Sequence, residues 1–89
     1  MTEINSLFEA ATLAAKSLPE RPDNDMMLQL YALYKQGSVG DVTGDKPGLF
    51  DFVASAKYEA WKGFKGVSPE DAKKQYIDLV KHLGGTFGD

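Results

Sequence analysis

The sequence contains no cysteine and no long uninterrupted apolar run. Without cysteine, the chain of 89 residues can form neither a disulfide nor a thiolate metal site. This composition is compatible with a reducing compartment, and we expect a cytoplasmic location. No stretch of about 18 apolar residues occurs, so no membrane-spanning helix is predicted. The amino-terminal segment contains the acidic residues Glu3 and Glu9 in place of a basic start, so no secretory signal is predicted.

The chain also lacks the basic character of a general nucleic-acid-binding protein. Its formal net charge is −3, whereas a protein of that class normally carries a basic stripe or patch. We therefore expect no nucleic-acid partner. A small cluster of lysines can still form a local anion site in an acidic chain, so the spacing of the individual lysines matters.

Residues for catalysis and metal binding are equally sparse. The single histidine, His82, has no cysteine or zinc-type partner nearby in the sequence, and no GxSxG motif is present. Residues 44–47 have neither the spacing of a phosphate-binding loop nor a preceding strand. Residues from Asp41 onwards do not match a calcium-binding loop. Lys46 occupies the position of the glycine that this motif requires, and Phe52 occupies that of the glutamate. We predict no enzyme activity, no catalytic residue, no metal and no cofactor.

Four segments have the spacing of amphipathic helices, and no alternating run predicts a strand. Apolar residues recur three and four positions apart, and the predicted helices cover residues of about 3–18, 24–36, 51–65 and 68–84. The connections between them are short, long and short. These features predict a single all-α domain over residues 1–89, built as a four-helix bundle.

Capping residues predict where two of the helices begin. Pro19 and Pro22 end the first helix, and either Asp23 or Asn24 can then cap the second with its side-chain oxygen. Ser68 is expected to cap the fourth helix, because it is followed by proline and two acidic residues that suit a helix start.

Glycine predicts the helix ends and one long loop. Gly37 is expected to end the second helix, and Gly66 the third. Residues 37–50 are rich in glycine and read as a loop. Some twelve extended residues reach roughly 40 Å, whereas a helix of about fifteen residues is only about 22 Å long. The loop can therefore return along a whole helix, and the second and third helices can lie parallel.

The second helix is apolar on nearly every face. Between Met26 and Tyr34 only Gln29 is strongly polar. An all-round apolar helix must be covered on more than one side. It either lies centrally in the bundle, or packs on the core with one face and lines a groove for an apolar ligand with another. Met27 and Leu28 suit such a groove, since methionine adapts its shape.

Aromatic and basic residues gather towards the end of the same helix. Tyr31 is three and four residues from Tyr34 and Lys35, so it is their neighbour on the helix surface. Lys57 accompanies aromatic residues in the third helix, and Tyr76 interrupts an aliphatic stripe in the fourth. Each residue fits an ordinary structural role by itself. Together they offer phenols for stacking and hydrogen bonding and ammonium groups for a phosphate.

Two stretches of this chain resemble the acyl-CoA-binding protein family. They read "YALYKQGSVGD" and "KPGLFDFVASAKYEAWKGFKGVSPEDAKKQYI", and the resemblance extends from about Phe8 to Leu83. It implies an up-down-down-up order of the four helices, with the long loop as the crossover. It also implies high-affinity binding of medium- to long-chain acyl-CoA esters by an intracellular carrier and buffer in lipid metabolism.

The resemblance assigns roles to individual residues. Tyr31, Lys35 and Lys57 would meet the 3′-phosphate of the CoA head, and Tyr76 would contact its adenine and ribose. Lys16 matches a further basic position. Residues 31–35 would form the centre of the head-group site, and Met27 and Leu28 would lie along the acyl chain. The implied ligand-binding residues are Lys16, Tyr31, Ala32, Leu33, Tyr34, Lys35, Lys57 and Tyr76.

Some positions depart from common members of that family. Gly37 and Ser38 replace a frequent Ala-Thr pair, which should loosen the end of the helix. Tyr58 stands where many members have tryptophan. Val53 occupies a position where some members have lysine, so one charge directed at the phosphates is missing, whereas Arg21 keeps the charge of a lysine.

Two other function classes remain as rivals. A helical interaction module would use the same surface to dock an amphipathic partner helix, without regard to CoA. A hydrolase or transferase acting on acyl-CoA would need a nucleophile and a base, which the sequence does not supply. We expect a monomer whose ligand is long-chain acyl-CoA and whose protein partners are enzymes that use acyl-CoA.

Overall fold

The computed structural model describes residues 2–48 and 50–87, and these form four α-helices and a short 3-10 turn. The helices are α1 (Thr2–Ala14), α2 (Asn24–Ser38), α3 (Phe52–Lys62) and α4 (Pro69–His82), and the 3-10 turn Ala15–Ser17 follows α1 directly. The described ranges contain no strand. The predicted all-α fold with four helices is therefore confirmed.

Side-chain caps begin three of the helices. Asp23 Oδ1 accepts from the N–H of Met26 at 2.9 Å, so Asp23 and not Asn24 caps α2. Asp51 Oδ1 accepts from Ala54 at 3.1 Å in α3, and Ser68 Oγ accepts from Asp71 at 3.1 Å in α4. Each cap satisfies a backbone donor that the first helical turn leaves free.

The first helix ends at Ala14, before the predicted end near residue 18, and is followed by the 3-10 turn. The ends of α2 and α3 also differ from the prediction. Gly37 does not end α2, which continues to Ser38, because the glycine lies buried where α2 packs against α4. A Cβ at Gly37 would lie only 3.0 Å from Lys73 Cγ and 3.4 Å from Phe8 Cζ. Close helix packing therefore explains this glycine. The end of α3 also comes earlier, at Lys62, and the glycine expected there, Gly66, lies in the following turn with a φ of +93°.

Cross-helix contacts show that α2 and α3 run parallel. Tyr31 of α2 faces Lys57 of α3, and four residues further along each helix Lys35 faces Trp61. The residue numbers rise together along both helices. The long loop therefore returns the chain over the full length of α3, as its length allows.

The direction of the other two helices follows from contacts at their ends. Lys73, near the start of α4, packs against Gly37 at the end of α2, so these helices are antiparallel. The same Lys73 donates from Nζ to Asn5 Oδ1 at 2.6 Å near the start of α1, so α1 and α4 run in the same direction. The up-down-down-up order implied by the resemblance is confirmed.

The returning loop is held along α3 by side chains of that helix. Trp61 Nε1 donates to the carbonyl of Gly40 at 2.8 Å, and Lys46 pairs with Glu59 at 3.1 Å. Ser55 Oγ lies 3.4 Å from the carbonyl of Gly48, close to the start of the helix. The loop thus covers one side of α3 and leaves another side facing α2.

The core is built by α1, α2 and α4, with little from α3. Trp61 is the only residue of α3 that is buried. The buried cluster of the other three helices comprises Phe8, Ala11, Leu30, Leu33, Ala72, Tyr76, Ile77 and Val80. Because α3 gives up little of its surface to this core, its face towards α2 is available to line a site.

Candidate functional site

A cavity of about 460 Å³ separates the first halves of α2 and α3. Its apolar wall consists of Met27, Leu28, Phe52, Val53 and Ala56, and its polar residues are Arg21, Asn24 and Lys57. The two parallel helices bring these residues together, since both begin at this end of the bundle. The size and lining suit an apolar chain with a charged group at one margin.

A second cavity, of about 400 Å³, lies between α1, α2 and α4. Tyrosines contribute much of its lining, and Lys16 supplies a positive charge. The lining residues are Thr12, Ala15, Lys16, Met27, Leu30, Tyr31, Tyr34 and Tyr76. Met27 lines this cavity and the first one. The two cavities therefore adjoin at Met27, with an aromatic and basic compartment on one side and an apolar compartment on the other.

Two lysine ammonium groups lie over aromatic rings between α2 and α3. Lys57 Nζ is 5.2 Å from the ring centroid of Tyr31, and Lys35 Nζ is 5.0 Å from that of Trp61. At these distances the ring faces attract the cations, and the two pairs lie one helical turn apart along the parallel helices. An anion between α2 and α3 can therefore meet two ammonium groups and a phenol.

Neither of these lysines is neutralised by a carboxylate in the part of the chain that the structure describes. The ion pairs found there are Lys46 with Glu59 and Lys74 with Glu70, and both are exposed. Within the described residues no ion pair occupies the ammonium groups of Lys35 and Lys57, which are therefore available to a ligand. Such charges bind the oxygens of a phosphate through charge-assisted hydrogen bonds.

Three aromatic rings form the wall of the second cavity and the adjoining core. Phe8 stacks on Tyr34 with ring centroids 5.8 Å apart, and it meets Tyr76 edge to face at 5.2 Å. Tyr34 is 42% exposed and lines this cavity, so part of its ring is accessible to a planar ligand group. Burial raises the pKa of the Tyr76 hydroxyl, and Tyr34 adds to this shift, so Tyr76 stays neutral and able to donate.

Most of the predicted ligand-binding residues lie at these two cavities. Lys16, Tyr31, Tyr34 and Tyr76 line the second, Leu28 and Lys57 line the first, and Met27 lines both. Lys35 lines neither cavity and lies over Trp61, one turn along α2 from Tyr31. The structure thus brings together residues from α2, α3, α4 and the 3-10 turn after α1, although their contact with a ligand stays a prediction.

Ala32 and Leu33 have a different position. Both are buried, and neither lines the two cavities. Their side chains lie on the faces of α2 that pack inside the bundle. Their predicted contact with the ligand stays a prediction that this position does not favour.

The sequence-based interpretation missed one wall of the apolar cavity. Phe52, Val53 and Ala56 line it from α3, whereas the resemblance identifies Val53 only as the place of a missing charge. The spacing of these residues and Lys57 places them on one helix face. That spacing was the signal available in the sequence, but the pairing of this face with α2 was not.

Two features are absent from residues 2–48 and 50–87. No group of three histidine or acidic side chains in these ranges could hold a metal ion. Within the same ranges, no helix is long and apolar enough to cross a membrane.

Comparisons with known proteins agree with the geometry. The family model described as acyl-CoA-binding protein matches residues 5–80. Acyl-CoA-binding protein homolog 1 of Caenorhabditis elegans is 48% identical over 81 residues, which are 91% of this chain and 94% of the relative. The Saccharomyces cerevisiae acyl-CoA-binding protein is 49% identical over 80 residues, 90% of this chain and 92% of the relative. The crystal structure of Oryza sativa acyl-CoA-binding protein 2 superposes with a TM-score of 0.86 at 42% identity, over 90% of this chain and 89% of that one. With a family match over most of its length and relatives of this similarity, the chain belongs to the acyl-CoA-binding protein family.

Proposed function

We propose that this protein binds medium- to long-chain acyl-CoA esters with high affinity and serves as an acyl-CoA carrier and buffer in lipid metabolism. The observation that carries the proposal is the position of two lysines that have no carboxylate partner within residues 2–48 and 50–87. Lys57 lines an apolar cavity of about 460 Å³, and Lys35 lies over Trp61, one helical turn further along the paired helices. Acyl-CoA is an amphiphile with a polyanionic head and a long apolar tail. The two compartments match these two parts.

The head group would be held between α2 and α3. Lys35, Lys57 and the hydroxyl of Tyr31 would bind the 3′-phosphate, and each hydrogen bond to such a charged group contributes about 1.5 to 3 kcal/mol. Tyr34 and Tyr76 would face the adenine and ribose, and Lys16 would meet a further phosphate. These contacts would distinguish an acyl-CoA from a free fatty acid.

The acyl chain would occupy the apolar cavity along Met27 and Leu28. Burying about fifteen methylene groups at roughly 0.8 kcal/mol each gives an upper bound on the order of 10 kcal/mol. Immobilising the ligand subtracts several kcal/mol from the sum of head and tail contacts. Affinity should therefore rise with chain length until the cavity is filled.

The mechanism that we propose is reversible binding without chemistry on the thioester. The site offers cations, phenols and apolar groups, which recognise the ligand but do not form an activated nucleophile with its base. Bound acyl-CoA should remain intact over hours. We propose a cytoplasmic monomer that exchanges its ligand with enzymes that make or use acyl-CoA.

Isothermal titration with palmitoyl-CoA tests the proposal, with CoA and palmitate as separate controls. Tight one-to-one binding of palmitoyl-CoA, and much weaker binding of either half, is the expected result. Equal binding of palmitate would show a generic lipid pocket without a working head-group site. Binding of none of the three would favour the rival interaction module, in which the same surface docks an amphipathic helix.

A further inference from the structure

Lys73 of α4 contacts the aromatic rings beside the second cavity, although it lines neither cavity itself. Its ammonium group is 5.6 Å from the ring centroid of Phe8, and it donates to Asn5 Oδ1 at 2.6 Å. The cation is therefore held between an aromatic ring and a polar side chain of α1. Neither cavity gives this lysine a role, so its position needs a separate explanation.

The bare backbone of Gly37 makes room for Lys73. A Cβ at residue 37 would lie 3.0 Å from Lys73 Cγ and 3.4 Å from Phe8 Cζ. The stem of the lysine and the ring of Phe8 therefore both pack against the end of α2, which only glycine allows at this distance. Gly37 lies three residues after Tyr34 and so shares a helix face with it.

Phe8 in turn supports the ring of Tyr34. The two rings are nearly parallel, with an interplanar angle of 20° and centroids 5.8 Å apart. Phe8 is 7% exposed, whereas Tyr34 is 42% exposed and lines the second cavity. A partly exposed side chain keeps its rotamer freedom unless contacts restrict it. Phe8 and Tyr76 provide such contacts for the ring of Tyr34.

We propose that Lys73 is a positioning residue for the head-group site. Its cation fixes the ring of Phe8, and Phe8 fixes the ring of Tyr34 in the orientation that a planar ligand group meets. A ring that is held in place before binding loses less conformational freedom when the ligand arrives, so the affinity is higher. Lys73 thus favours ligands that carry an adenine ring, without contacting them. This inference rests on the proposed binding of acyl-CoA.

Isothermal titration of Lys73→Met with two ligands tests this role. Methionine keeps an unbranched stem beside Gly37 but removes the cation. Affinity for palmitoyl-CoA should fall roughly three- to fivefold, because the attraction between cation and ring is lost. Affinity for palmitoyl-4′-phosphopantetheine, which has the same tail but no adenosine, should not change. A loosened bundle would weaken both ligands, so equal losses would overturn the proposal, as would unchanged affinity for palmitoyl-CoA.

Lys74→Met is the matched control for charge. Lys74 is the next residue of α4, its side chain is 58% exposed, and it pairs with Glu70 at 3.8 Å. Both variants remove one positive charge from the same helix. At an ionic strength of about 0.15 M, where the Debye length is about 8 Å, Lys74→Met should leave the affinity for palmitoyl-CoA unchanged. Equal losses in both variants would show that net charge is the cause and would overturn the proposal.

The variant Tyr34→Leu shows whether the effect of Lys73 passes through Tyr34. The loss of affinity caused by Lys73→Met should largely disappear when Tyr34 is already replaced, because both substitutions then act on the same contact. Losses that add fully in the double variant would contradict the proposed chain of contacts from Lys73 through Phe8 to Tyr34.

Asn5→Ala provides a second variant that leaves the lysine stem beside Gly37 in place. It removes the acceptor of the Lys73 ammonium group, so it should also weaken palmitoyl-CoA binding and spare palmitoyl-4′-phosphopantetheine. Circular dichroism checks that the helices of each variant are retained. Wild-type affinity of Asn5→Ala for palmitoyl-CoA would contradict the role of this tether.

The titration of the wild-type protein separates this inference from the proposed function. Failure of the wild type to bind palmitoyl-CoA would contradict the proposed function itself. Tight binding by the wild type, with the same affinity in Lys73→Met, would contradict only the positioning role of Lys73.

Discussion

The aromatic rings beside Lys35 and Lys57 suit these two lysines to bind a phosphate. Each ammonium group lies about 5 Å from an aromatic ring of the other helix, 5.0 Å for Lys35 over Trp61 and 5.2 Å for Lys57 over Tyr31. The rings position the cations without neutralising them. A lysine held in this way loses less freedom on binding a phosphate than a lysine that extends into solvent.

Replacing Lys57 or Lys35 with alanine should weaken acyl-CoA binding. We expect a loss of about 2 to 3 kcal/mol, or roughly 30- to 150-fold in Kd, because one charge-assisted contact to the phosphate disappears. Isothermal titration measures it. Lys62→Ala is the matched control, since Lys62 is exposed at the end of α3 and lines neither cavity. Unchanged affinity in both site variants would remove the head-group assignment.

Asp41 is a residue whose charge stabilises the junction between the loop and α4. Its Oδ1 accepts from the backbone N–H of Gly66 and from Gln36 Nε2, both at 2.9 Å. These two bonds, first that from Gly66 and then that from Gln36, lower the pKa of the Asp41 carboxyl, and Lys65 adds to the shift. The Asp41 carboxyl therefore binds a proton more readily in the unfolded chain than in the folded chain.

The sign of that pKa shift predicts the pH dependence of the variant Asp41→Asn. The contribution of the Asp41 charge is present above the unfolded pKa of about 3.9 and is lost as the pH falls through the lowered folded pKa. Asp41→Asn should be less stable than the wild type at pH 6, and the difference should shrink towards pH 3. Urea unfolding at several pH values measures it. Asp45→Asn, in the same loop, is the control, and a difference independent of pH would contradict the account.

At the scale of the elements, helix packing decides what Gly37 does. The residue looks like a helix terminator in the sequence, but α2 continues past it because α4 and α1 lie against its backbone. Next to it, Gln36 is completely buried and donates to the carbonyl of Val67 at 2.7 Å as well as to Asp41. These two neighbours join the end of α2 to α4 and to both connections around α3.

A large side chain at Gly37 should force α2 and α4 apart. Gly37→Leu is expected to lower the free energy of unfolding by about 2 to 3 kcal/mol, because overpacking costs more than the gain in helix propensity returns. The measurement is urea unfolding. Gln29→Leu introduces the same side chain at an exposed position of α2 and should change stability by less than about 0.5 kcal/mol. Equal effects at both positions would show that helix packing at Gly37 is not the cause.

The four helices differ in how much they contribute to the core and to the site. The helices α1, α2 and α4 form the core, whereas α3 contributes Trp61 to the buried residues and turns its remaining surface to α2 and the loop. The site between α2 and α3 thus depends on the least buried helix of the bundle. A ligand that contacts both α2 and α3 should therefore hold α3 against the rest of the bundle and stabilise the whole folded protein.

Saturating palmitoyl-CoA should raise the melting temperature. At a free ligand concentration of about 100 times Kd, mass action adds about 2.7 kcal/mol to the free energy of unfolding, which corresponds to roughly 10 °C or more for a chain of this size. Differential scanning calorimetry measures the shift. CoA at the same concentration should produce a smaller one, and the absence of any shift with palmitoyl-CoA would contradict binding to the native fold.

Much of this fold was determined by local features of the sequence. The helix starts at Asp23 and Ser68 follow from short-range hydrogen bonds, and the length of one loop allows α2 and α3 to run parallel. The aromatic and basic residues of the site could also be recognised, because Tyr31, Tyr34 and Lys35 share one helix face.

Tertiary structure alone decided the features that depend on the approach of distant segments. Gly37 stays helical because Lys73 and Phe8 pack on it, and Val53 becomes part of an apolar wall because α3 faces α2 across a cavity. Spacing along one helix shows which residues share a face, but not which element that face meets. That pairing depends on the packing of the whole bundle, where contacts between residues far apart in sequence outweigh local preference.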